Sequence, residues 1–133
     1  MQLKLSTDYA IRIVLYLSKK QQEVALKELC EKFIIEENYA IKFTKKLQRA
    51  GIVDINHDTQ DIFLVKNPKE ITLFDIINNM ENTIKINHCL EKDRYCGCSA
   101  TGDCSLRKVY CKLQSDIENT FKNTTIHDLL QAN

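Results

Sequence analysis

The spacing of apolar residues along the first fifty positions predicts three helices. Apolar side chains recur every three or four residues from position 10 to position 17, so a first helix is expected from a cap at Ser6 or Thr7 to about Lys19. The same spacing predicts a second helix over residues 26–34 and a third over residues 37–51, which ends in a glycine. Each predicted helix has one apolar face, so the three are expected to pack on a shared core.

The hydrophobic period then changes from that of a helix to that of a strand. The segments GIVDI (51–55) and DIFLV (61–65) are short and β-branched, and they flank the polar run NHDTQ. This pattern is typical of a β-hairpin, here closed by Pro68. Three helices followed by a hairpin is the element order of a winged helix-turn-helix, in which the third helix is the recognition helix for DNA and the hairpin is the wing.

Three more helices are predicted in the C-terminal half. The capping box Thr72–Asp75 begins a helix that runs to about Met80. Apolar residues at three- and four-residue intervals over residues 105–121 predict a long amphipathic helix with one narrow apolar seam, and the capping box Thr125–Asp128 begins a last helix. The expected fold class is mainly α with a small β-hairpin: a winged helix-turn-helix followed by a long C-terminal dimerisation helix.

The net charge of +1 conceals a basic N-terminal part. Residues 1–50 hold ten Lys or Arg against six Asp or Glu, a local charge of +4. The outer face of the predicted third helix carries four cations at i, i+3, i+4 and i+7, namely Lys42, Lys45, Lys46 and Arg49. Such a basic face suits DNA phosphates, and Asn38 at the start of the helix is a residue type that reads adenine edges. A face that is merely solvated is the alternative. The predicted wing is acidic, so it either stays away from DNA or contacts it through Asn56, His57 and Gln60.

Five of the six cysteines lie in one run, spaced Cys89-x6-Cys96-x-Cys98-x5-Cys104-x6-Cys111. Thiolates from one glycine-containing loop suit Zn²⁺ or an iron–sulfur cluster. A thiol switch is the alternative, because the nearby cations Arg94, Arg107 and Lys108 would lower thiol pKa values. Cys111 and Cys30 are expected to pack within helices rather than to act in this loop.

Composition excludes several other classes. The 133 residues contain neither a run of about 18–20 apolar residues, as a membrane span requires, nor a signal-peptide pattern, so we expect a cytoplasmic protein with reduced cysteines. No phosphate-cradling glycine loop or Ser/His/Asp set is evident, and an enzyme is not expected. A pure protein-interaction module built on the last long helix would leave the basic face unexplained.

Four segments together resemble the Rrf-two family of bacterial winged-helix regulators, which includes IscR, NsrR and CymR. The segments are MQLKLSTDYAIRIVLYL, ALKELCEKFIIEENYAIKFTKKLQRAGIV, KEITLFDIINNME and CSLRKVYCKLQSDIENTFKNTTIHDLL. The resemblance covers nearly the whole chain and is greatest to the nitric-oxide-sensing NsrR branch. It implies four parts: a DNA-binding domain (1–68), a connecting helix (69–88), a cysteine-rich cluster-binding loop (89–104), and a dimerisation helix with the C-terminal tail (105–133).

The resemblance also implies residue roles. The cluster ligands would be Cys89, Cys98 and Cys104, with Cys96 as an alternative middle ligand and Asp8 of the other subunit as the fourth; His88 is a substitute ligand. The cluster would be 4Fe–4S or, second, 2Fe–2S. DNA contacts would come from the recognition helix and the start of the first helix, through Thr7, Asn38, Tyr39, Lys42, Lys45, Lys46 and Arg49.

The implied protein is a homodimeric transcriptional regulator whose affinity for an operator in double-stranded DNA depends on the cluster. Nitric oxide, redox change or cluster supply would be its signal, with nitric oxide binding at the cluster. A regulator of the same fold that uses thiol-redox chemistry or zinc instead of iron is the alternative. Binding to a membrane is not implied.

Overall fold

The computed structural model describes residues 2–93 and 104–132, and its elements follow the predicted order. The prediction of a mainly helical winged helix-turn-helix with one two-stranded antiparallel hairpin is confirmed. The elements are α1 (Leu5–Lys20), α2 (Leu26–Phe33), α3 (Glu37–Arg49), β1 (Val53–Ile55), β2 (Ile62–Leu64), α4 (Leu73–Met80), α5 (Ser105–Asn123) and α6 (Ile126–Gln131), with 3-10 turns at Pro68–Glu70 and His88–Leu90.

One apolar core joins α1, α2, α3, α4, α6 and the hairpin. Each of these helices buries apolar residues of its predicted face, and burying one large aliphatic side chain stabilises the fold by about 1.5–3 kcal/mol. The largest fully buried side chains include Ile13, Leu29, Leu47, Ile62, Ile76 and Ile126. Because α3 buries Ala40, Phe43 and Leu47, its basic face is directed to solvent.

The wing is held from both sides. Asp54 lies opposite Phe63 at the centre of the β1–β2 pair. On the other edge of β2, Val24 and Ile62 exchange two main-chain hydrogen bonds of 2.8 Å. The residues just before α2 therefore act as a short third strand, which fixes the wing against the helix-turn-helix.

Both predicted capping boxes are present, and they lie side by side. The hydroxyls of Thr72 and Thr125 accept hydrogen bonds from the amides of Asp75 and Asp128, whose carboxylates accept from the threonine amides. The two threonines form an isolated β-bridge. The backbone segments that begin α4 and α6 are thus hydrogen-bonded to each other, and this places α6 on the core.

Three predicted helix ends are placed differently. α1 begins at Leu5, and the predicted cap at Ser6 or Thr7 is wrong, because the N-cap residue is Lys4 and it has no side-chain cap of its own. α2 ends one residue early, at Phe33, because Ile34 adopts the left-handed conformation. α3 ends at Arg49 and the chain turns at Gly51, whose φ of +74° favours glycine.

The start of α1 is instead capped from α4. The carboxylate of Glu81, the residue that follows α4, accepts a hydrogen bond from the Lys4 amide at 3.0 Å and a second one from the buried Thr7 hydroxyl. Such an acceptor satisfies amides that the first turn of a helix leaves without partners. The end of α4 and the start of α1 are therefore tied together.

The long helix α5 packs on α4 and leaves an apolar stripe uncovered. Its exposed members, which we call the α5 seam, are 47–55% accessible: Leu106, Val109 and Leu113. The stripe is the narrow apolar face that the sequence predicts, and within the described part of the chain nothing covers it. None of the described helices is both long and apolar enough to cross a membrane.

Candidate nucleic-acid interface and cysteine site

The basic face of α3 is accessible. Lys42, Lys45 and Arg49 are exposed and Lys46 is half-buried, while the opposite face of the helix lies in the core. Among the described residues, no carboxylate pairs with any of these four cations. Their charges are thus available to an external anion, and their spacing follows one side of the helix, as a phosphate backbone requires.

The start of α3 presents Asn38 and Tyr39 to solvent. Tyr39 stacks on Phe43, one turn further along, with ring centroids 6.2 Å apart, and Tyr9 of α1 also stacks on Phe43 at the same distance. This aromatic stack packs Tyr39 against its neighbours and joins α1 to α3. The link between α1 and α3 is a long-range contact that local spacing does not predict.

Thr7, another predicted DNA contact, lies inside the fold. The residue is fully buried, and its hydroxyl donates a hydrogen bond to the Glu81 carboxylate. Thr7 therefore supports the start of α1, and its contact with DNA stays a prediction.

A cleft of about 590 Å³ opens between the starts of α1 and α3. Three lysines, Lys4, Lys42 and Lys46, line it together with the exposed apolar residues Leu5 and Ile34. Ile34 is 89% exposed and has φ 52° and ψ 56°, a conformation that costs a residue with a Cβ about 1–2 kcal/mol. The sequence predicts Ile34 at the end of a helix. No pattern in it predicts the left-handed conformation of this residue or the exposure of its side chain.

The wing is acidic and internally bonded. Asp54 accepts hydrogen bonds from the Ile55 amide and from Gln48 of α3, and these bonds lower its pKa. The side chain of Asn56 accepts from two amides of the turn and donates to Glu23 at 3.0 Å. Of the three residues through which the wing would contact DNA if it does so, Asn56 is thus bonded within the protein, and the Gln60 carboxamide donates to the His57 carbonyl at 3.1 Å.

Two of the predicted cluster ligands are both hydrogen-bonded to Arg107, in the first turn of α5. Cys104 is the N-cap residue, and its sulfur accepts a hydrogen bond from the Arg107 amide at 3.4 Å. The Arg107 guanidinium donates to the carbonyl oxygen of Cys89, also at 3.4 Å, and Asn87 donates to the Cys89 sulfur at 3.2 Å. Arg107 thus contacts both cysteines, Cys104 through its amide and Cys89 through its guanidinium.

The other predicted ligands are Cys96, Cys98, Asp8 and His88. Cys96 and Cys98 lie outside the described residues, and within the described ones no three potential ligands come together. Asp8 of the same subunit pairs with Arg12 at 2.8 Å and is half exposed. His88 lies 2.9 Å from Asp93, and this hydrogen bond raises the His88 pKa, which favours the protonated form that cannot bind a metal.

The segment that leads to Cys89 is fixed to α5 by one buried side chain. The Gln114 carboxamide accepts from the Ile86 amide at 2.8 Å and donates to the Ile84 carbonyl and to Glu118, both at 3.0 Å. It pairs with the backbone as a neighbouring strand would. Sequence analysis missed Gln114, since a lone glutamine within a helix gives no indication of such a role.

The two cysteines outside the ligand set differ in environment. Cys30 is half-buried, and its pKa is raised by burial and then by the neighbouring carboxylates Glu37 and Glu31. Cys111 is exposed on α5. The sequence predicts that both cysteines pack within their helices. Cys30 does so in part, whereas Cys111 is exposed.

Comparison with known proteins extends over the whole chain. The family described as "Rrf2: Iron-dependent Transcriptional regulator" matches residues 3–132. The chain is 26% identical to the HTH-type transcriptional regulator NsrR of Shouchella clausii, over 98% of this chain and 89% of that protein. Its fold is similar to that of CymR, the global cysteine regulator of B. subtilis, with a TM-score of 0.81 and 21% identity over 100% and 98% of the two chains. The fold of T. potens IscR is also similar, with a TM-score of 0.75 and 23% identity over 99% and 88%.

Proposed function

The chain belongs to the Rrf2 family of transcriptional regulators, and we propose that it binds an operator in double-stranded DNA with α3 under the control of a cysteine-held cluster. The observation that carries the DNA-binding part is the basic face of α3, whose four cations have no carboxylate partner among the described residues. Asn38 and Tyr39 would meet base edges while the cations neutralise phosphates. Neither role requires the acidic wing to enter a groove.

The proposed regulator is a homodimer joined by α5. The α5 seam is apolar and uncovered, and pairing it with the same seam of a second copy would bury it without adding any new element. Two copies would present two α3 helices to successive turns of the major groove.

We place an iron–sulfur cluster at the start of α5. Cys89 and Cys104 lie there with N–H donors directed at their sulfurs, and Cys98 or Cys96 would supply the third thiolate. Asp8 of the partner subunit would supply the fourth ligand once it exchanged its ion pair with Arg12. A bound cluster would supply a centre that reacts with nitric oxide and with oxidants. The sequence similarity to NsrR supports this choice, and 4Fe–4S is preferred to 2Fe–2S.

The described contacts offer a route from this site to DNA. Glu81 and Cys89 belong to one segment, and Glu81 holds the start of α1. Tyr9 of α1 in turn packs on Phe43 of α3. Movement of Cys89 on loss of the cluster would thus be passed to α3 through two contacts, and the balance between two arrangements of the dimer would shift.

The test is the visible spectrum with the iron and sulfide content of protein purified without oxygen, before and after addition of nitric oxide. A coloured protein that bleaches, and whose DNA affinity changes at the same time, supports the proposal. Cys104→Ala should remove both the colour and the response, whereas the control Cys111→Ala should keep both. Regulated DNA binding by a protein that takes up no iron on reconstitution would instead support a zinc or thiol-redox regulator of the same fold.

A further inference from the structure

Ile34, which ends α2 and precedes α3, combines a left-handed backbone with an exposed apolar side chain. Its backbone is left-handed, where a glycine would fit without strain because it has no Cβ. Its side chain is β-branched and 89% exposed, so it adds almost nothing to the core. A strained backbone that presents an apolar side chain to solvent is more typical of a binding surface than of a structural position.

The surroundings of Ile34 indicate an anionic occupant. Ile34 lines the cleft between the starts of α1 and α3, where the rim carries Lys4, Lys42 and Lys46 against one carboxylate, Glu36. Lys42 and Lys46 also belong to the basic face of α3, so the cleft continues the proposed DNA surface. The cleft therefore suits an occupant that offers negative charge to the lysines and an apolar group to Ile34. The major groove of DNA is such an occupant, because phosphates border it and thymine presents its C5-methyl group there.

We propose that Ile34 is a specificity-determining residue whose side chain packs on a thymine methyl group in each operator half-site. This inference rests on the proposed DNA binding and names the base that the start of the recognition unit prefers. Asn38, the exposed second residue of α3, would read a neighbouring adenine edge, so the two together favour A·T pairs there. The left-handed backbone directs the Ile34 side chain out of the protein instead of into the core.

The experiment removes the methyl group from the DNA and the side chain from the protein. Operators are first selected from random duplex DNA with the wild-type protein, and each thymine is then replaced singly by deoxyuracil, which lacks only the methyl group. At one thymine in each half-site the replacement should weaken binding about fourfold, as expected for one lost apolar carbon. Ile34→Gly should bind thymine and uracil operators equally at that position.

Two further variants separate specificity from folding. Ile34→Gly should melt at or above the wild-type temperature, because glycine tolerates the left-handed backbone, and Ile34→Asn should lose the methyl preference in the same way. Gln21→Gly is the matched control, since Gln21 is also left-handed and ends α1 far from the cleft; it should keep full sensitivity to uracil. An Ile34→Gly protein that keeps the wild-type preference for thymine overturns the inference and leaves the proposed function intact. Failure of the wild type to select any DNA sequence overturns both.

Discussion

Replacing Gln114 by leucine tests whether one side chain fixes the segment that leads to Cys89. The carboxamide of Gln114 is 5% exposed and forms three hydrogen bonds, two of them to the main chain of Ile84 and Ile86. Leucine has nearly the same volume but neither a donor nor an acceptor. The substitution therefore removes the bonds without opening a large cavity.

The expected loss can be worked from these contacts. The Ile86 amide and the Ile84 carbonyl lose their partners, and each partly buried main-chain group left without one costs about 1–3 kcal/mol. The bond to Glu118 adds little, because Lys85 still pairs with Glu118 at 3.2 Å. Leucine regains some apolar contact, so we expect a net loss of about 2–3 kcal/mol in the free energy of unfolding. The melting temperature of a chain of this size should fall by roughly 4 °C per kcal/mol, or about 8–12 °C.

Urea denaturation at one fixed protein concentration measures the change, because a dimer makes stability depend on concentration. Amide hydrogen exchange at Ile86 gives a local readout and should become faster, together with the exchange of residues 84–90. Gln48→Leu is the control, since Gln48 is exposed and forms one side-chain bond, to Asp54. A loss below 1 kcal/mol with unchanged exchange at Ile86 would refute the reasoning that Gln114 holds this segment.

Three further predictions concern the α5 seam, the cap of α1 and the capping box of α6. Leu113→Glu places a charge in the α5 seam and should halve the mass measured by light scattering, whereas Ser115→Glu, on the same helix, should not. Glu81→Ala should cost about 2–3 kcal/mol and speed amide exchange in the first turn of α1, because it removes the cap of the Lys4 amide and the partner of a buried hydroxyl. The Asp128 pKa is lowered by hydrogen bonds from the amide and hydroxyl of Thr125, so the stability that this carboxylate contributes is present at neutral pH and is lost as the pH falls below about 4. Asp128→Asn should flatten that acid limb in unfolding measured against pH.

The sequence predicts those parts of the fold that depend on residues close together along the chain. Both capping boxes, the wing and the narrow stripe of α5 depend on residues a few positions apart, and all are confirmed. The cap of α1 depends on a carboxylate 77 positions away from Lys4, which no local pattern contains, and Ser6 and Thr7 offered a plausible but wrong substitute. The left-handed backbone of Ile34 escaped prediction for another reason, since propensity disfavours a β-branched residue there.

The candidate site divides in the same way. The basic face of α3 follows from helical spacing and from its position opposite the core. Residue type and spacing suggest the cysteines as ligands, but the contacts that link the Cys89 and Cys104 segments come from Arg107, which belongs to no motif. Side chains that bond to backbone across the fold are visible only once the chain is folded.

The environment of Cys30 makes covalent labelling selective without mutagenesis. Because burial and two carboxylates raise the pKa of this thiol, its thiolate fraction at neutral pH is smaller than that of an ordinary cysteine, and it should react more slowly with iodoacetamide, whose target is the thiolate. Brief alkylation followed by mass spectrometry would then count modifications at the other five cysteines against an internal site that stays unmodified. The native chain thereby carries its own reference for measuring how many thiols a bound metal protects.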